Sequence, residues 1–349
     1  VAEPAGPTEE LSSLEGEAAD RSSEADKEHH GPAESRPGLP GEPSGDIPGP
    51  PGEPSEEGPE LVQREPGPLR RGGHPASRRG EAGLSELDRK MAAQFLRKYQ
   101  DRPAAPLAVV MAAYNEEAAV GHVVKETPES VAGLATEVIV VVDGSTDNTA
   151  LVAEEAGALV CDVPENRGQG ASLRLGYHLA RQRGARYIIT TDADGQWRAA
   201  DMERVMAPIL AGEADFVNGS RRLGSTANAD LVRNAGVVVF AGLISLLTGR
   251  RVTDPASGLR ALTAELTASV VLDQPQYQSS ELLISAAMGG FRIVEVPIYM
   301  QRRRSGKTKK GGNLVYGWRF GKVVVGTWLR EAKGLGSLRP PRSTNTTRS

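Results

Sequence analysis

The sequence predicts an open, mostly parallel α/β sheet with helices on both faces, in a single domain. Three observations carry this. Short Val- and Ile-rich runs alternate with segments whose apolar residues recur at helical spacing. The run Glu137–Val142 is almost continuous in Val and Ile, as in a parallel strand covered on both faces. Polar residues fall where such strands end, at Tyr114, Asp143 and Asp192, and ligands of open sheets sit beyond that rim.

The elements follow in order. Residues 1–85 are crowded with Pro, Gly, Glu and Ser, as in Pro48-Gly49-Pro50-Pro51-Gly52-Glu53-Pro54. Such a segment buries too little apolar surface to offset its ordering entropy, so a disordered acidic leader is expected. Its Gly and Pro lack a three-residue period, which argues against a collagen helix. Residues 86–104 read as a lead-in helix, with Leu87, Met91, Phe95 and Leu96 at helical spacing and Pro103 and Pro106 after it. The domain proper is expected over 105–335, followed by a disordered basic tail over 336–349.

Within the domain, strands are expected at Leu107–Ala112, Glu137–Val142, Ala158–Val163, Tyr187–Thr191 and Ala214–Asn218. Helices are expected between them at Glu116–Lys125, Thr146–Ala156, Gly170–Arg183 and Ala200–Ala211. Beyond residue 225 the pattern changes. Helices are expected at Leu231–Thr248, Ala264–Leu272 and Ser279–Met288, a strand at Phe291–Tyr299, and a final helix near Gly317–Glu331 after a Lys/Arg-rich loop. There is no internal repeat.

Charge is segregated. Residues 1–60 carry 16 acidic and 3 basic side chains, an excess of 13 negative charges; the whole chain is −4, so the remainder is +9. After residue 300, 13 Lys and Arg face one acid, Glu331. A basic end suits an anionic partner such as phosphate, a lipid headgroup surface or nucleic acid. Nucleic acid ranks last, because stacking aromatics are not interleaved with the cations. Cys161 is the only cysteine, so no intrachain disulfide forms, in keeping with a reducing cytosol. The first thirty residues show no apolar run of a signal peptide. The longest apolar stretch, Ala235 to Thr248, makes roughly 21 Å of helix. A bilayer needs about 20 residues. Residues 237–247 therefore either pack on the sheet or dip into a lipid interface, with Arg250 and Arg251 at the edge. Tyr316, Trp318 and Trp328 suggest a second interfacial helix. The expectation is a cytoplasmic protein, peripheral on the cytoplasmic face of the membrane.

The most informative stretch is Tyr187-Ile188-Ile189-Thr190-Thr191-Asp192-Ala193-Asp194-Gly195-Gln196. Two carboxylates and an amide oxygen at a strand end offer hard ligands for Mg²⁺ or Mn²⁺, which in turn would hold a diphosphate. Read blandly, the same residues are a strand followed by a polar turn. Three further motifs precede it: Tyr114-Asn115-Glu116-Glu117, Asp143-Gly144-Ser145-Thr146-Asp147-Asn148-Thr149, and Asn166-Arg167-Gly168-Gln169-Gly170.

In this order and spacing the four motifs resemble the family 2 glycosyltransferases, over about residues 106–312. The resemblance implies the Rossmann-like GT-A fold, a single catalytic domain. Three later segments narrow it. Asp254-Pro255-Ala256-Ser257-Gly258-Leu259-Arg260, Glu295-Val296-Pro297-Ile298 and Arg303-Arg304-Ser305-Gly306-Lys307-Thr308-Lys309 are similar to elements of the dolichyl- and polyprenyl-phosphate sugar synthases. The chain departs from that pattern at Gln169, where lysine is common, at Thr308 in place of Ser and at Leu259 in place of Phe. The C-terminal transmembrane pair of some relatives is absent.

The resemblance assigns Ala113, Tyr114, Asn115, Glu116, Asp143, Asp147, Asn166, Gly168, Asp192 and Ala193 to a nucleotide sugar. Asn115 and Ser145 have the alternative of capping helices, and Asp147 and Asn148 that of a first helical turn. Asp192, Asp194 and Gln196 are the expected metal ligands, with Asp192 alternatively bonding ribose or sugar. Asp192, Asp194 and Arg221 form the expected catalytic set. Arg221, Arg233, Ser257, Arg303, Thr308 and Lys309 are the expected cradle for the acceptor phosphate. Glu281 is the one acidic candidate for a base should the acceptor be a neutral hydroxyl; otherwise it orients an arginine.

The expected activity is inverting, metal-dependent transfer of a hexose from a nucleoside-diphosphate sugar to a polyprenyl phosphate, with GDP-mannose and UDP-glucose as leading donors. The alternatives are a hydroxyl acceptor on a soluble sugar or metabolite, and a nucleotide-binding regulator without turnover.

Overall fold

A computed structural model describes residues 79–227, 231–302 and 313–335, excepting the side chains of 231–234 and 313–316. Residues 1–78, 228–230, 303–312 and 336–349 lie outside the described residues, and so do the expectations placed on them.

Eight strands form the sheet: β1 (Leu107–Ala113), β2 (Ser130–Val131), β3 (Leu134–Asp143), β4 (Leu159–Val163), β5 (Tyr187–Asp192), β6 (Phe216–Thr226), β7 (Arg260–Thr263) and β8 (Ile293–Met300). The helices are α1 (Glu86–Lys98), α2 (Glu117–Glu126), α3 (Thr149–Glu155), α4 (Gln169–Gln182), α5 (Asp201–Leu210), α6 (Leu231–Thr248), α7 (Ala264–Ser269), α8 (Gln278–Met288) and α9 (Asn313–Ala332). The strand order is β2-β3-β1-β5-β7-β6-β8, with β4 also paired to β3. β4, β3, β1 and β5 run parallel, whereas β7 is antiparallel to both β5 and β6.

The sheet is covered on both sides, and β1 shows how. Ala108 and Val110 face one core with Leu175 and Leu179 of α4; Leu107, Val109 and Met111 face the other with Val120 of α2 and Met206 of α5. Every second residue feeds a different core, so the strand must be apolar throughout, which is the continuous run read in the sequence.

Three features depart from the expected elements. β2 and β7 are additional strands. β6 continues beyond Asn218 to Thr226 alongside β8, with an irregularity between Ser220 and Ser225. α1 ends at Lys98 and belongs to the domain core: Ala92, Phe95 and the following Tyr99 are buried against the α4 side of the sheet. Its first turn is held by a capping box, in which the Asp88 N–H donates to the Ser85 hydroxyl at 3.0 Å and the Ser85 N–H donates to Asp88 Oδ2 at 2.8 Å.

α6 and α9 pack together through Phe240 and Phe320, whose ring centroids lie 4.4 Å apart, and the Trp328 indole donates to the Leu247 carbonyl at 2.8 Å. Among the described residues, no helix is long and apolar enough to cross a membrane.

Candidate active site

The sheet register assembles the rim. Asp192 lies beside Ala112, and Ala112 beside Val141, so Asp143 stands two residues beyond that line on the strand flanking β1 on its other side. β3 and β5 are two strand spacings apart, about 10 Å, and Tyr114 emerges between them from the end of β1. Tyr114 is 37% exposed.

The loops after β1 and β3 are laced to each other. The Asn115 N–H donates to the Ser145 hydroxyl at 3.0 Å, and Asn115 Oδ1 accepts from the Thr146 N–H at 2.8 Å. Asn115 takes a left-handed conformation, φ 50°, which asparagine tolerates well. Neither Asn115 nor Ser145 caps a helix; both cross-brace loops. The Glu116 N–H donates to the Thr149 hydroxyl at 2.8 Å. Asp147 accepts from the Thr149 N–H at 3.1 Å and the Glu117 N–H at 3.3 Å. Burial opposes its charge, but these bonds and the Thr149 hydroxyl outweigh it and hold the carboxyl below its usual value. Asp147 therefore shapes the loop.

Asp143 is 3% exposed. Its Oδ2 accepts from the N–H of Gly168 at 2.7 Å and of Arg167 at 3.0 Å, and its Oδ1 faces Arg167 Nε at 3.4 Å. The Asn166–Gly168 loop is thereby wrapped around the carboxylate. Asn166 packs its backbone against Gly144, where an added Cβ would come within 2.4 Å of Asn166 N. Gly168 sits at φ 95°, where an added Cβ would also come within 2.5 Å of the Pro275 carbonyl oxygen, so only glycine fits.

At the end of β5, Asp192 Oδ2 accepts from the Trp197 indole at 2.8 Å and Oδ1 from the Gln169 amide at 2.9 Å. The departure at Gln169 thus gives the first carboxylate a neutral donor. Asp194 is 5% exposed, and its Oδ1 accepts from the Gln196 N–H at 3.1 Å across the turn made by Gly195. Ala193 is buried between the two acids. Among the described residues, no group of three or more His, Cys, Asp and Glu side chains is arranged to hold a metal. Two carboxylates and an amide oxygen nonetheless fit Mg²⁺ or Mn²⁺, which prefer oxygen donors and complete their shell with phosphate oxygens and water.

The Asp254–Arg260 segment backs this turn, a role the sequence did not signal. An added Cβ on Gly258 would come within 2.1 Å of Asp192 Oδ2 and 2.7 Å of Trp197 Nε1, so glycine is what lets the segment approach the carboxylate. Arg260 is fully buried and donates to the Ser257 carbonyl. Burial pulls its guanidinium below the usual value, while Tyr177, Asp192 and Asp254 favour its charge. Glu295 explains the strand motif: it accepts from the Thr253 N–H at 2.7 Å and the Asn218 amide at 2.8 Å, pinning the start of the segment.

Of the expected phosphate cradle, the side chains of Arg221 and Ser257 are among those described. Arg221 makes a two-pronged pair with buried Asp254, Nε and Nη2 each at 2.6 Å, and lies 5.9 Å from the Trp197 ring centroid. Its fork is committed to Asp254, which makes it a brace behind the carboxylate turn in this state. Ser257 is fully buried, its hydroxyl 3.4 Å from the Leu259 carbonyl oxygen. Arg303, Thr308 and Lys309 lie outside the described residues, as does the Arg233 side chain. Trp197 bridges Met300, and the Gln301 N–H donates to the Gln196 carbonyl at 2.8 Å, which ties the end of β8 to the carboxylate turn.

Glu281 is fully enclosed. It accepts from the N–H of Asp273 at 2.9 Å and of Gln274 at 3.2 Å, and from Arg330 at 2.9 Å. It orients an arginine, the second of its two expected roles, and it holds the loop whose Pro275 backs Gly168. Burial pushes its carboxyl up from 4.5 to about 7, against the pull of the Asp273 N–H and Arg330. The folded state then holds this proton where the unfolded chain has lost it, so stability falls as pH rises from about 4.5 to about 7. The expected result is a melting temperature that drops across this window relative to Glu281→Gln; parallel pH profiles of the two proteins would contradict it.

A family model described as "Glycosyl transferase family 2" matches residues 108–263. A dolichyl-phosphate hexose transferase of Haloferax volcanii is 36% identical over 225 residues, covering 64% of this chain and 95% of the relative. The chain belongs to glycosyltransferase family 2. An undecaprenyl-phosphate mannosyltransferase of Micrococcus luteus is 27% identical, over 62% of this chain and 90% of its own. Among solved structures, glucosyl-3-phosphoglycerate synthase of Mycobacterium tuberculosis, in complex with Mn²⁺, UDP-glucose and phosphoglyceric acid, superposes with a TM-score of 0.52. At 22% identity, over 68% of this chain and 83% of that one, the similarity speaks for the GT-A fold. This family 2 enzyme is thus a glycosyltransferase with its rim residues on a GT-A sheet.

Proposed function

We propose that this enzyme moves a hexose from a nucleoside-diphosphate sugar to a polyprenyl phosphate, with inversion at the anomeric carbon. Tyr114 and Asp143 would receive the nucleoside at one side of β1, and the Asp192–Gln196 turn would face the diphosphate at the other. A divalent cation held by Asp192, Asp194 and Gln196 would supply Lewis-acid neutralisation of the departing diphosphate. The acceptor phosphate oxygen attacks the anomeric carbon from the opposite side. The bond to the nucleoside diphosphate breaks, and its electron pair leaves with that group. A phosphate monoester is already an oxyanion near neutral pH, so no general base is required. The enclosure of Glu281 agrees with that economy.

The observation that carries the acceptor reading is the α6–α9 face. Val239 and Leu246 of α6 are 66% and 81% exposed, and Trp318 of α9 is 64% exposed. Val325 and Leu329 of α9 are also exposed, and the exposed cations Arg250, Arg251, Arg319 and Lys322 lie on or directly after the same two helices. An apolar face with a cationic border suits the interface of an anionic bilayer, where a polyprenyl phosphate resides. The homologues named for dolichyl and undecaprenyl phosphates support the same acceptor class.

The test is incubation with labelled GDP-mannose or UDP-glucose, Mn²⁺ and either polyprenyl phosphate or a soluble hydroxyl acceptor. Label in the organic phase, dependent on polyprenyl phosphate, is the expected result; label only in a soluble product would overturn the reading. A second expectation concerns the face. Leu246→Glu should cut co-sedimentation with anionic phospholipid vesicles by roughly tenfold, the effect of about 1.4 kcal/mol, while nucleotide binding is unchanged. Undiminished co-sedimentation would place the membrane contact elsewhere.

A further inference from the structure

We propose that Asp88, on the helix that precedes the family-matched region, is a positioning residue for the donor and acts through Arg167 on Asp143. The inference rests on the donor reading above. It concerns a residue that lies 20 positions before the family match begins at 108.

Asp88 is 1% exposed and divides its two oxygens between two tasks. Oδ2 closes the capping box, accepting from the Ser85 N–H and the Ser85 hydroxyl, both at 2.8 Å. Oδ1 pairs with Arg167 Nη1. The same guanidinium approaches Asp143 Oδ1 through Nε at 3.4 Å, a distance too long for a strong bond. Arg167 Nη2 is buried without a hydrogen-bond partner. One guanidinium is therefore shared between two buried carboxylates and is drawn mainly towards Asp88.

That division decides what Asp143 has left to offer. Its Oδ2 is filled by the Arg167 and Gly168 N–H groups. Its Oδ1 carries only the long Arg167 contact, so it is the oxygen with acceptor capacity for a nucleoside donor. A guanidinium released from Asp88 would close onto Asp143 as a two-pronged pair, the geometry arginine prefers with a carboxylate. Asp143 Oδ1 would then be consumed within the protein. Asp88 prevents this by holding Arg167 back, and α1 is fixed firmly enough to do so because Ala92, Phe95 and Tyr99 are buried in the core.

The experiment titrates UDP and GDP, each with Mn²⁺, into the full chain, and measures KM for the donor and kcat separately. Asp88→Asn is expected to raise the nucleotide Kd and the donor KM by roughly tenfold, with kcat at saturating donor within about twofold. Ser85→Ala damages the same cap without touching Arg167, so it should lower the melting temperature and leave nucleotide affinity at the wild-type value. Arg167→Gln should remove the dependence on Asp88, so that the double variant binds no worse than Arg167→Gln alone.

Wild-type nucleotide affinity in Asp88→Asn would overturn the inference and leave the donor reading standing. So would a loss of affinity in Ser85→Ala equal to that in Asp88→Asn. A wild-type protein that binds neither nucleotide would overturn the donor reading and the inference together. If Asp88→Asn folds too poorly to titrate, Asp88→Gln replaces it, since glutamine also closes a capping box but carries no charge to hold Arg167; wild-type affinity there would equally overturn the proposal.

Discussion

Asp194→Ala is expected to lower kcat/KM by about a thousandfold, some 4 kcal/mol of transition-state stabilisation, with little change in melting temperature. Asp194 is 5% exposed and belongs to the turn after β5, whose other acid, Asp192, is already engaged by Trp197 and Gln169. Its loss removes the charge that would seat a cation against the leaving diphosphate. The fold should survive, because the bond that Asp194 accepts from the Gln196 N–H is local to the turn. Steady-state kinetics beside a thermal melt checks this. A variant that melts like wild type and retains a tenth or more of its activity would remove Asp194 from the chemistry.

Asp254→Ala should have the largest effect on stability. Asp254 is fully buried and accepts from Arg221 Nε and Nη2 at 2.6 Å each and from the Arg221 N–H at 3.1 Å. Removing it leaves a largely buried guanidinium without its counter-charge, a loss of about 3–5 kcal/mol from a total that is usually about 5–15 kcal/mol. Replacing both members, as in Asp254→Ala with Arg221→Met, should recover part of the loss, because no uncompensated charge remains. Urea unfolding of the two single variants and the double variant measures this directly. Simple additivity would show that the pair is not coupled.

The parts of the site that were legible in the sequence are those fixed by strand ends. Tyr114, Asp143 and Asp192 each follow an apolar run, and the parallel order β3-β1-β5 brings all three to one rim. The parts that were not legible depend on partners distant in sequence. Arg221 read as a phosphate ligand because nothing local announces Asp254, 33 residues away, as its partner. β7 escaped notice because it is four residues long and begins with Arg260, and a buried arginine gives no hydropathy signal. α1 read as a polar lead-in because its buried Asp88 looks like any acid in a first helical turn. Gln169 could be flagged only as a departure; its bond to Asp192 required the structure.

The central claim is that a cation seated by Asp192 and Asp194 grips the donor's diphosphate. It is tested most directly by titrating UDP and GDP into the wild-type protein with Mn²⁺ and with EDTA, then repeating both with Asp194→Asn. The account predicts that Mn²⁺ tightens binding of one nucleotide at least tenfold in the wild type, about 1.4 kcal/mol, and has almost no effect in the variant. Equal affinities in Mn²⁺ and EDTA, or the same response to Mn²⁺ in both proteins, would contradict it.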